Sequence, residues 1–269
     1  MSTEGDPPRH ASRHATRDAT QDAARDATRH ATREARPPAR PRVWIAQARP
    51  EHADALAELQ RVVFPNLADS DLMTADDFLE HQRVFPEGEF VALTAEAPDG
   101  SPLGYDRVVG LGSGFLTGFD FNHANHTFSE MIAGGTYAGH DPDGDWYYGA
   151  DISVHGDYRR LGIGTMLYEA RKNLVRRLGR RGIVAGGQLP GYPAYRERMS
   201  VPQYVAAVIA GEVRDPTLSF QLDSGFEVAG LIEGYMEDEY TDDWATLIVW
   251  HNPDVQGPRV GPESQTSSA

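Results

Sequence analysis

The sequence predicts a single mixed α/β domain behind a disordered arm, and three observations lead there. A strand, a long amphipathic helix and a second strand follow one another between residues 146 and 186, the spacing of a βαβ unit. Short strand patterns and helical patterns alternate on both sides of that unit. In front of them, residues 9–33 offer almost no apolar side chain larger than alanine.

From Arg9 to Arg33 the chain repeats a four-residue unit: RHAS, RHAT, RDAT, QDAA, RDAT, RHAT, REAR. A period of four lies close to the helical 3.6, which allows transient helix, but there is nothing large to bury. The stretch from Pro37 to Pro41 marks a boundary, so residues 1–42 are assigned to a disordered arm.

Folded sequence begins with a strand at Val43 to Ala46. A helix from Pro50 to Val63 follows, with Ala55, Leu56, Leu59, Val62 and Val63 at helical spacing. A second helix runs from Thr74, its N-cap, to Val84. Strands at Phe90 to Ala95 and Arg107 to Phe115 flank the turn Pro98-Asp99-Gly100-Ser101. Residues 116–145 are rich in Gly, His, Asn and Asp and read as a long functional loop. The βαβ unit comprises Trp146 to Val154, Arg160 to Leu178 and Gly182 to Gly186. Helices at Pro202 to Ala210 and Thr217 to Leu222 precede two closing strands, Glu227 to Met236 and Trp244 to Trp250, joined by an acidic hairpin turn. Residues 254–269 are read as a disordered tail.

Composition narrows the function. The 269 residues include 40% hydrophobic ones, enough for an ordinary core. No apolar run reaches the roughly 18 to 20 residues that span a bilayer, and the N-terminus is polar and Arg-rich. The expectation is a soluble cytoplasmic protein. Without cysteine, catalysis must use oxygen or nitrogen side chains. The net charge of −15 hides a split, because residues 1–42 carry +3 and the remainder −18. An acidic body repels phosphates, which argues against a DNA-binding main domain and for cationic amines as partners.

The chemistry concentrates at Ile152-Ser153-Val154-His155-Gly156-Asp157-Tyr158-Arg159-Arg160-Leu161-Gly162-Ile163-Gly164-Thr165, read as strand, tight loop and helix. Gly162 and Gly164 remove side chains that would block a ligand and leave backbone N–H groups free at a helix N-terminus. The helix dipole adds partial positive charge, and Arg159 and Arg160 supply full charges, which together make an anion cradle. No Gly-Lys-Ser/Thr follows and the G-x-G-x-x-G spacing is absent, so the cradle fits neither a Walker loop nor a Rossmann fingerprint.

Arg159-x-x-Gly162-x-Gly164 resembles the R/Q-x-x-G-x-G/A motif of the GNAT N-acetyltransferases, and the resemblance extends over roughly residues 43 to 253. Leu218 to Phe226 is similar to the family's last helix and its "GF". Gly186 to Tyr192 and Asp145 to Val154 look like the GNAT domain found fused to carbon–nitrogen hydrolases, whose hydrolase half has no counterpart here. The resemblance implies a mixed, mainly antiparallel central sheet flanked by helices, with splayed fourth and fifth strands. It also implies acetyl-CoA or a related acyl-CoA as cosubstrate. The pyrophosphate would rest on the amides of Arg160, Leu161, Gly162, Ile163, Gly164 and Thr165 beside Arg159, and the pantetheine would pair with the main chain of Ile152 and Val154.

Transfer to an amine of pKa about 10.4 needs a base to take its proton. Asp151 is the nearest candidate in sequence, with His155 and Glu130 behind it. A strand-end carboxylate held by neighbouring hydrogen bonds is the competing role for Asp151. Where many GNAT enzymes place a tyrosine acid, this chain has Gln221, so the acid is unassigned. Tyr192, Tyr195 and Tyr204 lie near in sequence, although packing in the core is the commoner role for such rings.

Asp141 to Asp145 lacks the bidentate Glu of a calcium loop, and His123, His126 and His140 lack zinc-site spacing, so no metal is expected. The acceptor side is expected from residues 64–86, 116–145 and 188–204, including Asp69, Asp71, Phe85, Phe119, Phe121 and Tyr192, which suits a cationic group on an apolar body. The partners expected are acyl-CoA and an amine, without nucleic acid or membrane, and a homodimer is compatible. The competing function classes are a non-catalytic acyl-CoA sensor or partner-binding module, and a scaffold without ligand.

Overall fold

A computed structural model describes residues 40–65, 72–237 and 241–257. The expectations for the arm up to residue 39, for the tail from 258 and for Asp69 and Asp71 lie outside the described residues. The described residues from Arg40 onward form one compact unit.

Among the described residues seven strands form one mixed sheet: β1 (Val43–Gln47), β2 (Phe90–Glu96), β3 (Pro102–Thr117), β4 (Trp146–Val154), β5 (Gly182–Gly187), β6 (Glu227–Ile232) and β7 (Ala245–His251). Their spatial order is β1-β2-β3-β4-β5-β7-β6. Only β4 and β5 pair in parallel; the other neighbours are antiparallel. The helices are α1 (Ala53–Val63), α2 (Ala75–Val84), α3 (Phe128–Met131), α4 (Ile163–Arg177), α5 (Val201–Ile209) and α6 (Leu218–Asp223). This is the mixed sheet with flanking helices that the resemblance implies.

Two apolar layers sandwich the sheet. Leu56, Leu59 and Phe78 of α1 and α2 pack on Val91, Leu93, Val108 and Leu111. Ile163 and Leu167 of α4 belong to the other core cluster, with Ala92 and Val109. Small residues let α4 lie close: a Cβ on Gly110 would sit 3.1 Å from the Ile163 side chain, and one on Gly112 3.3 Å from that of Leu167.

Some boundaries differ from the sequence expectation for identifiable reasons. Strand β3 starts at Pro102 rather than Arg107, because the 97–101 turn closes tightly, Ala97 N–H donating to Ser101 O at 2.8 Å. Residues 102–106 are largely exposed and carry no alternating apolar pattern to announce them. Helix α4 begins at Ile163 rather than Arg160, since Arg160 and Gly162 adopt φ of 64° and 81°, which no right-handed helix accepts. Strand β6 ends at Ile232 rather than Met236, where Gly234 at φ 68° turns the chain and Tyr235 N–H donates to Asp243 O at 2.8 Å. The 116–145 connection contains a 3-10 turn at Phe121–His123 and the short α3, and is otherwise irregular.

Candidate functional site

The site begins where two parallel strands part. β4 and β5 pair only through Trp146↔Gly182, Tyr147↔Ile183 and Tyr148↔Val184. Beyond Tyr148, β4 continues to Val154 paired with β3 alone. The backbone of Gly149 to Val154 therefore presents an edge with no β5 partner, and Ile152 and Val154 lie on it half-buried.

That edge leads into the loop before α4. His155 N–H donates to Val109 O at 2.9 Å, a 3-10 turn spans Gly156–Tyr158, and the buried Tyr158 hydroxyl donates to Glu96 O at 3.0 Å. The first intrahelical backbone bond of α4 is Met166 N–H to Gly162 O at 3.0 Å, so the helix itself does not use the amides of Ile163, Gly164 and Thr165. The guanidinium of Arg159, exposed, donates through Nε to Val154 O at 3.3 Å, and Arg160 and Leu161 complete the loop. A Cβ on Gly162 would meet open space, but its φ of 81° favours glycine. At Gly164 an ideal Cβ would lie 2.8 Å from the Phe220 ring of α6, so packing against α6 also requires a glycine there. Beside Thr165, a depression of about 430 Å³ opens between α4, α6 and β7, lined in part by Tyr168, Lys172, Phe220, Ser224 and Trp250.

A bulge shapes the inner end. β3 pairs Ser113 with Asp151 and Phe115 with Tyr148, so three steps on β4 oppose two on β3. Ser113 and Phe115 share a face by the two-residue strand period, and Tyr148 and Asp151 therefore share it too. Asp151 is 8% exposed; its Oδ2 accepts from Gln60 Nε2 at 2.5 Å and its Oδ1 from Ser153 Oγ at 2.6 Å. Burial raises its pKa, against the hydrogen bonds from Ser153 and Gln60 and the charges of Arg171 and His81. Arg171 is itself buried: Nη2 donates to Ser113 O at 2.7 Å and the guanidinium lies 5.8 Å from the Tyr147 ring centre.

Next to this lies a hydrogen-bonded chain of three rings. The Tyr148 hydroxyl is 3.0 Å from that of Tyr235 and 2.9 Å from His126 Nε2, and His126 Nδ1 is 2.7 Å from Ala124 O. Tyr235 lies across the diverging end of β5, where a Cβ on Gly186 would meet its ring.

The other candidates are placed elsewhere in the hydrogen-bond network. Glu130 is exposed and closes the capping box of α3, Oε2 accepting from Thr127 N–H at 3.0 Å; its hydrogen bonds to Thr127 lower its pKa. His155 caps the 156–158 turn through Nδ1 and receives Arg107 Nη2 at 3.2 Å; burial and then Arg107 lower its pKa. Tyr192 is buried, donates to Met199 O at 3.1 Å and packs on Tyr204, whose hydroxyl donates to Asp215. Phe85 stacks on His140, and Phe121 packs on Trp146. Gln221 is buried beside Gly187, with Oε1 unpartnered. Among the described residues no group of three or more His, Asp or Glu is placed to hold a metal.

Sequence reasoning missed Tyr148, Tyr235, Gln60 and Arg171. No short motif carries them, because they meet only through the bulge and through contacts up to 91 residues apart.

The acetyltransferase (GNAT) family model matches residues 54–199. The chain belongs to the GNAT family. Among curated GNAT relatives, it is 32% identical over 202 residues to an uncharacterized N-acetyltransferase, YkwB, of Bacillus subtilis, covering 74% of this chain and 84% of that protein. It is 35% identical over 202 residues to a probable hydrolase, YhcX, of the same organism, covering 75% of this chain but only 37% of that protein. Solved structures with the same GNAT fold include the GphF GNAT-like decarboxylase in complex with isobutyryl-CoA, with TM-score 0.61 and 23% identity, covering 78% of this chain and 99% of that one. The loading domain of CurA from Lyngbya majuscula has TM-score 0.62 and 15% identity, covering 78% and 98%. At these identities the likeness is one of fold. No helix among the described residues is long and apolar enough to cross a membrane.

Proposed function

We propose that this GNAT protein is an acyl-CoA-dependent N-acyltransferase, with acetyl-CoA as donor and a primary amine of a small molecule or protein as acceptor. The observation that carries the reading is the unpaired edge of β4 beyond Tyr148, leading directly to the free amides at the start of α4. An extended amide-bearing chain ending in a pyrophosphate matches both features: its amides can complete the strand edge, and its phosphates suit a helix N-terminus flanked by Arg159 and Arg160. Ile152 and Val154 would hold the arm, and Arg159 to Thr165 the phosphates. A thioester supplies an activated acyl group whose thiol, with a pKa near 8.5, leaves without a strong acid. Gln221 in α6 is therefore compatible with turnover.

Gln221 also favours a second reading, a non-catalytic acyl-CoA sensor. Calorimetry of the full chain with acetyl-CoA, followed by a thiol-release assay over an amine panel, separates the two. Binding with release on at least one amine is the expected result. Binding without release on any amine selects the sensor, and no binding overturns both.

A further inference from the structure

We infer that Tyr235, Tyr148 and His126 form an oriented path that carries the proton away from the acceptor amine, with His126 as the terminal base; this assignment rests on the acyltransferase reading above.

The orientation follows from donor and acceptor rules. A carbonyl oxygen only accepts, so the 2.7 Å contact with Ala124 O requires the proton of neutral His126 to sit on Nδ1. Nε2 then offers its lone pair, and the hydroxyl 2.9 Å away must donate, which uses the single proton of Tyr148. Tyr148 Oη can only accept across the 3.0 Å contact, so Tyr235 donates. Every donor in the path points toward His126, and Tyr235 Oη keeps lone pairs for an incoming N–H. The burial is graded along the path: Tyr148 is fully enclosed, Tyr235 is 4% exposed and lies across the end of β5 beyond its pairing with β4, and His126 is half-buried.

In the step, the amine nitrogen bonds to the acyl carbon and the carbon–sulfur bond breaks. The amine proton passes to Tyr235, the Tyr235 proton to Tyr148, and the Tyr148 proton to His126 Nε2, while the departing thiolate takes a proton from solvent. The resulting imidazolium returns its proton to water. Burial lowers the His126 pKa, outweighing the Ala124 hydrogen bond and the Glu130 charge, so the ring is neutral and receptive at neutral pH. Burial raises the pKa of both tyrosines, with Asp151 raising that of Tyr235 further; neither rests as phenolate, which suits transit of a proton. The groups facing His126 are Glu130, Tyr148 and Tyr235. Asp151, by contrast, has both oxygens already engaged by Gln60 and Ser153.

The direct test is 15N NMR of the full chain with labelled histidine, assigning the resonance lost in His126→Gln. The Nδ1–H tautomer is expected at neutral pH; an Nε2–H tautomer or an imidazolium there overturns the path. Kinetics supply the second readout. Tyr235→Phe, Tyr148→Phe and His126→Ala should each lower kcat/KM by about 100-fold or more while acetyl-CoA affinity stays unchanged. Added imidazole should partly restore His126→Ala, which should also lose the acidic limb of the pH profile. If the wild type acetylates an amine and the three variants match it, or the limb persists without His126, the relay is overturned and the acyltransferase reading stands. If the wild type acetylates nothing, that reading falls and the role given to the path falls with it, whatever the tautomer.

Discussion

The ring of Phe220 on α6 fills the space a side chain at Gly164 on α4 would need, with 2.8 Å from the ring to an ideal Cβ. Gly164 thus sets how closely α4 and α6 approach. Gly164→Ala is expected to destabilise the fold by about 1 to 3 kcal/mol through overpacking. Phe220→Leu in the same chain should recover part of that loss, as a double-mutant cycle by urea denaturation would show. Gly162→Ala meets no neighbour but holds a left-handed conformation, so about 1 kcal/mol is expected, with no rescue by Phe220→Leu.

Arg159, in the proposed phosphate-binding loop, carries an exposed full charge and donates through Nε to Val154 O. Arg159→Ala is expected to weaken acetyl-CoA binding by about 1.5 to 3 kcal/mol, measured by calorimetry. The loss should shrink for a pantetheine thioester lacking the nucleotide. An equal loss for both donors would place Arg159 away from the phosphates.

Asp151 should make stability depend on pH in an unusual direction. Its folded pKa is raised by burial, so the native state holds this proton where the unfolded chain has lost it. Its contribution is therefore complete below the ordinary carboxyl pKa of about 3.9 and is lost as pH rises from there through the raised folded value. Asp151→Asn removes that titration and keeps a polar group for Gln60 and Ser153. Urea midpoints from acid to neutral pH should shift in favour of the variant as pH rises. A shift the other way would show that Asp151 is stabilised as the anion.

Asp215 ties α6 to the loop after β5. Oδ1 accepts from the Thr217 and Leu218 amides at 2.8 Å, and Oδ2 from Gly191 N–H and the Tyr204 hydroxyl at 2.9 Å. Asp215→Ala removes the acceptor of the Thr217 and Leu218 amides and leaves buried donors unpaired, with an expected cost of about 2 to 4 kcal/mol. Tyr204→Phe removes one of the four bonds and should cost about 1 kcal/mol in thermal unfolding. Equal effects of the two would mean that the amide contacts contribute nothing.

The sequence by itself determined the class of fold, the order of the strands and of the longer helices, and the loop-to-helix junction after β4. These depend on periodicities and on the run from Ile152 to Thr165, whose residues are neighbours in space because they are neighbours in the chain. Only the tertiary structure decided where α4 starts, because the positive φ of Arg160 is imposed by the loop it closes. It alone turned Tyr148 and Asp151 to one face, through a bulge set by pairing with β3. It joined Tyr148 to Tyr235 across 87 residues and Gln60 to Asp151 across 91. Such contacts carry no local signature, because the loop-closure entropy they cost is offset by the packing of the whole sheet and not by any segment alone.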